Sequence, residues 1–275
     1  MHKQLKRKKV LITGGSGVLG SEMARALAKQ EMIVFILNRT AKKGEALVKE
    51  IHDAGGEAYQ ITADVLNMES LKEAKEQVMK QVDHLDILIN AAGGNHPDAV
   101  TKDEYYDISN PENSLLGLTE EGIDKVFDLN FKGTLLPVQI FLPLLLKSEC
   151  PSIINVSSMS AYTPLTKIPA YSAAKSALSN FTMWLMVHLS KTNIRVNAIA
   201  PGFFLTEQNR TLLKEETGEL TARAEKIINA TPMDRFGNPN ELVGAILFLA
   251  DNTYSSFING IVIPIDGGFQ AYSNV

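Results

Sequence analysis

Cysteine is almost missing from this chain: Cys150 is the only one among 275 residues. An intrachain disulfide is thereby excluded, and a thiol nucleophile would stand without any supporting pattern. An excess of one charge is missing too. Lys and Arg number 27 against 31 Asp and Glu, a formal net charge of −4, so nothing points to a nucleic-acid surface. The basic start, His2 to Lys9, reads as a solvated arm, because a first core strand follows at once and a signal-peptide apolar segment does not. No run approaches the length that spans a bilayer. The apolar segment near Leu135 to Leu146 is short, contains Pro137 and Pro143, and reads as a core helix. Linkers, low-complexity tracts and internal repeats are lacking, and no metal site is expected. These absences leave a cytoplasmic protein folded as one domain over residues 1–275.

What is present is a regular alternation of strand and helix patterns. Candidate strands are Val10 to Ile12, Ile33 to Leu37, Ala58 to Thr62, Ile87 to Asn90, Ser152 to Val156, Arg195 to Ile199 and Ile261 to Ile265. Seven strands interleaved with helices predict a single α/β domain of Rossmann type: a doubly wound, seven-stranded parallel sheet flanked by helices on both faces. In such sheets ligands bind outside the carboxyl ends of the strands.

The most informative residues are Ser158, Tyr171 and Lys175, a serine thirteen positions ahead of a Tyr-x-x-x-Lys pair. Tyr171 and Lys175 lie in PAYSAAKSALSNF, a stretch of good helix formers in which positions four apart share a face. A free tyrosine titrates near ~10 and must fall by roughly three pH units, about 4 kcal/mol, to exchange protons near neutrality. The Lys175 ammonium is placed to favour the Tyr171 phenolate. Ser158, closing the apolar run IINVSS, is placed to hydrogen-bond a substrate oxygen. No amino-acid side chain donates hydride, so the set calls for a nicotinamide cofactor. A matching signal opens the chain. Lys9 to Ile12 runs into TGGSGVLGSEMARALAKQ, a glycine turn and a helix with an apolar stripe at Met23, Leu27 and Ala28. Gly15, Gly17 and Gly20 fit G-x-G-x-x-G, whose glycines permit the tight turn while the helix N-terminus meets a pyrophosphate. By itself such a turn is a weak signal, with a compact connection as the alternative; beside the Ser/Tyr/Lys spacing it reads as a cofactor loop.

With these motifs in this order, the chain resembles the short-chain dehydrogenase/reductase family over essentially its whole length. The resemblance implies that Gly14, Gly15, Ser16, Gly17, Val18 and Leu19 hold the pyrophosphate, with Asp64 and Val65 of ADV on the adenine side. It further implies that Asn90-Ala91-Ala92-Gly93 forms the turn after strand four. Asn130 of DLNFKGT then completes a catalytic tetrad by holding a water in the proton relay to the lysine. Pro201, Gly202, Phe204 and Thr206 pack on the nicotinamide and bond its carboxamide, and Lys175 holds the cofactor ribose beside Tyr171. Asp266-Gly267-Gly268 resembles the family's closing strand and turn. The family pattern T-G-x-x-x-G-x-G has glycine where this chain has Val18, its middle glycine being displaced to Gly17, which leaves the path of the phosphate loop open.

Cofactor choice turns on the end of the second strand, where an acidic side chain would accept the ribose hydroxyls of NAD. Here Asn38-Arg39 stands instead. A guanidinium binds phosphate bidentately, which favours NADP(H) over NAD(H); the other reading has Arg39 in solvent and both cofactors accepted. Substrate residues are sought where the chain exceeds a tight scaffold. After strand four it continues as GGNHPDAV into an acidic loop reaching about Leu118, and long loops carry function. Asn95 and His96 either bond sugar hydroxyls or brace that loop. Lys167, between Ser158 and Tyr171, and Arg210, beyond Thr206, are candidate cations for a substrate carboxylate, or else face solvent. Residues 203–236 resemble the family's substrate-covering lid. His188 and Trp184 read as packed helix residues, with Trp184 in the core or an interface.

The runs NAAGGNHP, DLNFKGTLLP, PLTKIPAYSAAK, APGFFLTEQNR and PIDGGFQAYS resemble the D-mannonate oxidoreductase, or fructuronate reductase, branch of the family. That resemblance implies interconversion of D-fructuronate and D-mannonate in hexuronate breakdown. Alternatives are a gluconate 5-dehydrogenase or other sugar-acid dehydrogenase, a carrier-linked acyl reductase, and a non-catalytic nicotinamide-binding regulator. Members of the family are commonly homotetramers joined through the helices carrying Asn130 and Tyr171 and through the last strand. Phe131, Trp184, Phe248 and Phe257 serve such contacts or the monomer core equally well.

Overall fold

The computed structural model describes residues 3–206, 209–215 and 217–273. All seven expected strands are present: β1 Lys9–Thr13, β2 Ile33–Asn38, β3 Glu57–Thr62, β4 Ile87–Asn90, β5 Ser152–Val156, β6 Arg195–Pro201 and β7 Val262–Ile265. They form one sheet in the order β3-β2-β1-β4-β5-β6-β7, every pairing parallel. The chain leaves β3 at one edge and re-enters as β4 on the far side of β1. The β1/β4 junction is therefore the switch point at which crossovers diverge and a crevice opens. Register places Thr13 beside both Leu37 and Asn90, and Asn90 beside Asn155.

The strands are nearly continuous apolar runs because both faces of a parallel sheet are covered. Side chains alternate between two cores. Val10, Ile12, Val34 and Ile36 enter one, with Met23, Leu27 and Ala28 of helix α1 (Val18–Ala28). Leu11, Ile33, Phe35 and Leu37 enter the other, with Leu71 and Val78 of α3 (Met68–Met79) and Phe141 and Leu145 of α5 (Gly133–Leu145). Helix α2 (Ala41–Asp53) buries Leu47 and Ile51 on the α1 side. The apolar segment holding Pro137 and Pro143 is thus the core helix α5. Among the described residues no helix is long and apolar enough to cross a membrane.

Three irregular features shape the carboxyl-end crevice. Between α4 (Glu120–Phe127) and α5 the chain widens into a single π-turn, Asp128–Lys132, with Asn130 at its centre; such turns are rare and concentrate at functional sites. The long helix α6 (Pro169–His188) carries Tyr171 and Lys175. Beyond β6, the segment 203–236 carries the short α7 (Arg210–Leu213) and α8 (Ala222–Asn229). It has its own apolar cluster, in which Phe203, Leu205 and Phe236 pack on Leu213, Ala224 and Ile227. The chain then returns through α9 (Val243–Ala250) and α10 (Asn252–Ser255) to β7.

Helix α1 meets the β1 turn by backbone contact. A Cβ on Gly20 would stand 2.3 Å from the Gly14 carbonyl oxygen and 2.9 Å from Gly15 Cα. Neither atom belongs to a side chain that can move aside. Gly20→Ala is expected to lower Tm by roughly 4–8 °C. Gly17→Ala, whose Cβ would meet only Gly14 O at 3.1 Å, should change it by less than about 2 °C; thermal unfolding of the two variants checks the contrast.

Candidate active site

The sequence TGGSGVLG forms a cradle at the end of β1. Gly14 has φ +64, and a Cβ there would lie 2.9 Å from Ala92 Cα, so the turn lies directly against the turn after β4. Thr13 Oγ1 locks the two together, accepting from Ala91 N and Ala92 N at 3.2 Å each. Gly15 is pressed on Ile12 O, 2.9 Å from its would-be Cβ. Helix α1 begins at Val18, so Val18 takes ordinary helical backbone and needs no glycine. Gly17 sits at the N-cap and supplies no side-chain cap. The first-turn amides, with Ser16 and Leu19 alongside, thus face the crevice without a side-chain partner, as a pyrophosphate requires. The residues fit a dinucleotide on that ground.

The remaining expected cofactor positions line the same ends. Asn38, at the end of β2, is buried and donates through Nδ2 to Thr40 O; Arg39 is exposed. Asp64 Oδ1 accepts from Leu66 N at 2.9 Å, which shapes the turn after β3, and Val65 is buried against Gly133. Pro201 closes β6, and Gly202 packs so tightly on Asp266 that a Cβ would be 2.6 Å from its Cα. Phe204 departs from expectation. Its ring is buried in the core on the α1 side, against Gly237, so only its main chain is available to a ligand. Thr206 is braced by Asn209, which accepts from Thr206 N at 2.9 Å and donates to Phe204 O at 2.8 Å.

Ser158, Tyr171, Lys175 and Asn130 converge beside this cradle. Ser158 follows β5 and is buried. Its Oγ accepts from Ser160 N at 3.2 Å and Ser160 Oγ at 3.0 Å, which leaves its own proton to donate. Ser158 also acts on the Tyr171 hydroxyl, in the direction that lowers its pKa. Lys175 is buried, and its Nζ donates to Val156 O at 2.8 Å while lying 5.7 Å from the Tyr171 ring centroid. Asn130, fully buried, spends both Nδ2 protons on Gly94 O (2.7 Å) and Val126 O (2.8 Å), and its Oδ1 accepts from Gly94 N at 3.2 Å. Only oxygen acceptors of Asn130 are left for a water. Gly93 is squeezed between them: a Cβ there would be 2.9 Å from Asn130 Oδ1 and 3.1 Å from Lys175 Nζ. Ser160, Gly94 and Asn209 escaped the sequence reading, since a serine in SSMS or a glycine in a glycine run carries no distinguishing spacing.

The electrostatics correct one expectation. Burial pushes the Tyr171 hydroxyl above its ordinary value, and the interaction with Ser158 only partly offsets it. Tyr171 is therefore held protonated, the form that donates to a carbonyl oxygen. Burial also pulls the Lys175 ammonium from 10.5 to about 8, so keeping it charged costs about 3 kcal/mol.

The substrate candidates separate. Asn95 is exposed at the crevice rim. His96 braces the loop, its Nδ1 accepting from Asp98 N at 3.3 Å. Lys167 donates to Lys102 O and lines a cavity of about 460 Å³ bounded by residues 163–168 and α8. Arg210 begins α7, and its side chain lies outside the described residues. Trp184 and His188 stack at 4.8 Å on the exposed face of α6, and Trp184 is 55% exposed, so it is not a core residue of this chain. Among the described residues no group of acidic, His or Cys side chains is arranged to hold a metal.

The short chain dehydrogenase family model matches residues 8–217. An uncharacterized oxidoreductase of Bacillus subtilis, UxuB, is 55% identical over 275 residues, spanning all of this chain and 99% of the relative. A Haemophilus influenza protein solved with bound NAD, and provisionally named a D-mannonate oxidoreductase, superposes with a TM-score of 0.95 at 47% identity. The match covers 99% of this chain and 98% of that one. The 5-keto-D-gluconate 5-reductase of Escherichia coli K12 is 29% identical over 261 residues, 95% of this chain and 94% of the relative.

Lys175→Met is expected to cut turnover by at least about 10²-fold without lowering Tm at pH 7. The folded pKa of Lys175 lies below its unfolded value, so the unfolded chain binds more protons between about pH 8 and 10.5. Wild-type stability rises through that window, and any stability advantage of the variant should shrink there. Thermal melts at pH 7 and pH 10 measure it; a variant clearly less stable at pH 7 would refute the net cost assigned to the buried charge.

Proposed function

The chain belongs to the short-chain dehydrogenase family, and from that premise we propose that it interconverts D-fructuronate and D-mannonate, the ketone and secondary alcohol of one sugar acid. The full-length likeness to the NAD-bound Haemophilus protein supports this substrate. The grouping of buried Ser158 and Lys175 with half-buried Tyr171 supports the chemistry.

In this reading, the amides of residues 14–19, the 90–93 turn, Lys175 and the 201–206 segment hold the nicotinamide cofactor. When bound, it supplies the hydride for the ketone carbon. The chain's own groups handle the proton. Tyr171, kept protonated by burial, donates to the ketone oxygen as it gains negative charge. Ser158, its acceptor positions taken by Ser160, donates to the same oxygen and holds it near the Tyr171 hydroxyl. Lys175, charged below about pH 8, stabilises the phenolate left behind. Asn130 brackets the turn after β4 against α4 and offers an oxygen to the water that returns the proton. The segment 203–236 covers the substrate.

The end of β2 supports NADP(H) over NAD(H): no carboxylate is there, Asn38 is buried, and Arg39 is exposed with no ion pair among the described residues. We infer a homotetramer as well. Phe127, Met183, Trp184 and Val187 present an apolar face on α4 and α6, and Phe257 and Ile261 another beside β7, more than isolated surface residues would make. A nicotinamide-coupled step on a small sugar acid supports a cytoplasmic location. The second reading, reduction of 5-keto-D-gluconate, is favoured by the Escherichia coli likeness and needs no change in the proton machinery.

Nicotinamide absorbance with D-fructuronate and 5-ketogluconate, each with NADH and NADPH, tests the assignment. Oxidation with fructuronate and a lower KM for NADPH are expected; activity confined to 5-ketogluconate would replace the substrate. Tyr171→Phe should bind cofactor normally and lose at least about 10²-fold in turnover, whereas retained turnover would dismiss the proton role. Trp184→Lys together with Val187→Glu should convert tetramer to smaller species by light scattering, and an unchanged mass would remove that interface.

A further inference from the structure

A cavity of about 460 Å³ lies between residues 163–168, which join Ser158 to Tyr171, and helix α8 of the covering segment. Leu165, Ile168, Phe203 and Ile227 give it apolar walls. Its cations come from two directions. Lys167 enters from the segment joining the two catalytic positions, and Arg223 and Lys226 from α8, where a spacing of three puts them on one face. One carboxylate stands among them. Glu104, in the long loop after β4, lies 2.9 Å from Lys226 Nζ. Its carboxyl is held below the usual range by Lys226 first and by the field of Lys167 as well. Arg223 has no ion pair among the described residues. Among the described residues the site thus has three positive side chains for one negative, and that anion sits on a loop that makes no other ion pair to another element.

We propose that Lys167, Arg223 and Lys226 form the carboxylate subsite for the substrate, and that Glu104 is a built-in stand-in for that carboxylate, displaced from Lys226 when substrate binds. The proposal rests on the sugar-acid reading and names the residues that select the acid. An exposed ion pair is weakly held, so exchanging Glu104 for a substrate carboxylate that also reaches Arg223 gains charge-assisted hydrogen bonds. Released Glu104 leaves the long loop free of α8, while the substrate bridges α8 to the segment carrying Lys167. Of the two candidate cations of the sequence reading, Lys167 lines this cavity and the Arg210 side chain lies outside the described residues; the other two cations here come from α8.

Steady-state kinetics of the full-length protein test this with Lys226→Met, Arg223→Gln and Glu104→Gln. The first two should raise KM for D-fructuronate by about tenfold or more with kcat within about twofold, whereas Glu104→Gln should lower it by about threefold. KM for the cofactor should not move, and Lys226→Arg should restore much of the loss. A purely structural Glu104–Lys226 bridge predicts shifts of the same sign for Glu104→Gln and Lys226→Met, and that result, or an unmoved KM, overturns the subsite while leaving the function standing. If the wild type reduces a different anionic ketone and the variants shift its KM in these opposite directions, the subsite holds and the fructuronate reading falls. Turnover of neutral ketones alone, or of no ketone, overturns both.

Discussion

A buried chain of side-chain hydrogen bonds determines where the chemistry sits. Asn90 at the end of β4 donates to Asn155 of β5 at 2.9 Å, and Asn155 donates to Thr182 of α6 at 2.9 Å. Thr182 closes the chain on Leu178 O within the helix. All three residues are buried almost completely, so each lost bond would leave a polar group unsolvated, at a cost of about 1–3 kcal/mol. The strands of a parallel sheet are interchangeable apolar runs, and helices can slide on them. This polar chain removes that freedom by pinning α6 to two named strand positions. Ser157, bonded to Ser179 at 2.7 Å and to Lys175 O at 3.2 Å, adds a second pin one step nearer the site.

From that anchoring the electrostatics follow. A helix held against the sheet puts Lys175 under the 90–93 turn, where water cannot reach its ammonium, and burial brings it to about 8. The same enclosure raises Tyr171. Two groups whose charged forms are both disfavoured form a poised pair: Tyr171 is a proton donor at neutral pH, and Lys175 loses its charge when the pH rises through 8. Low dielectric strengthens whatever charge later appears between them. Ser160 occupies the acceptor side of Ser158 Oγ, which orients that donor beforehand.

The segment 203–236 is organised differently. Its small apolar cluster makes it a unit, yet its links to the rest include exposed ion pairs such as Lys226 to Glu104. Such exposed pairs are weak and exchangeable, whereas the anchoring network beneath is fully buried.

Much of this was legible in the chain itself. Seven apolar runs of strand length, each followed by a helix pattern, dictate a parallel sheet, because only that architecture covers both faces of such strands. The glycine turn and the Ser158, Tyr171, Lys175 spacing are local and periodic, so they survive as sequence signals. Other features depended on distant segments meeting. Sequence alone suggested that Lys175 lowers the Tyr171 pKa; the fold reverses the net direction, since burial arises from packing that no local spacing records. The return of the chain at Gly237 draws the Phe204 ring into the core, a contact that local sequence does not record. Val18 looked like a disturbed phosphate loop, but the helix starts there and leaves its backbone ordinary. Glu104 and Lys226 stand 122 positions apart, and nothing along the sequence relates them. The sequence by itself determined the sheet, the glycine turn and the shared helix face of Tyr171 and Lys175, because those rest on periodicity and local geometry. Only the tertiary structure decided the burial of Ser158 and Lys175 and which cations line the cavity beside α8, because burial and long-range pairing exist only once the chain has closed on itself.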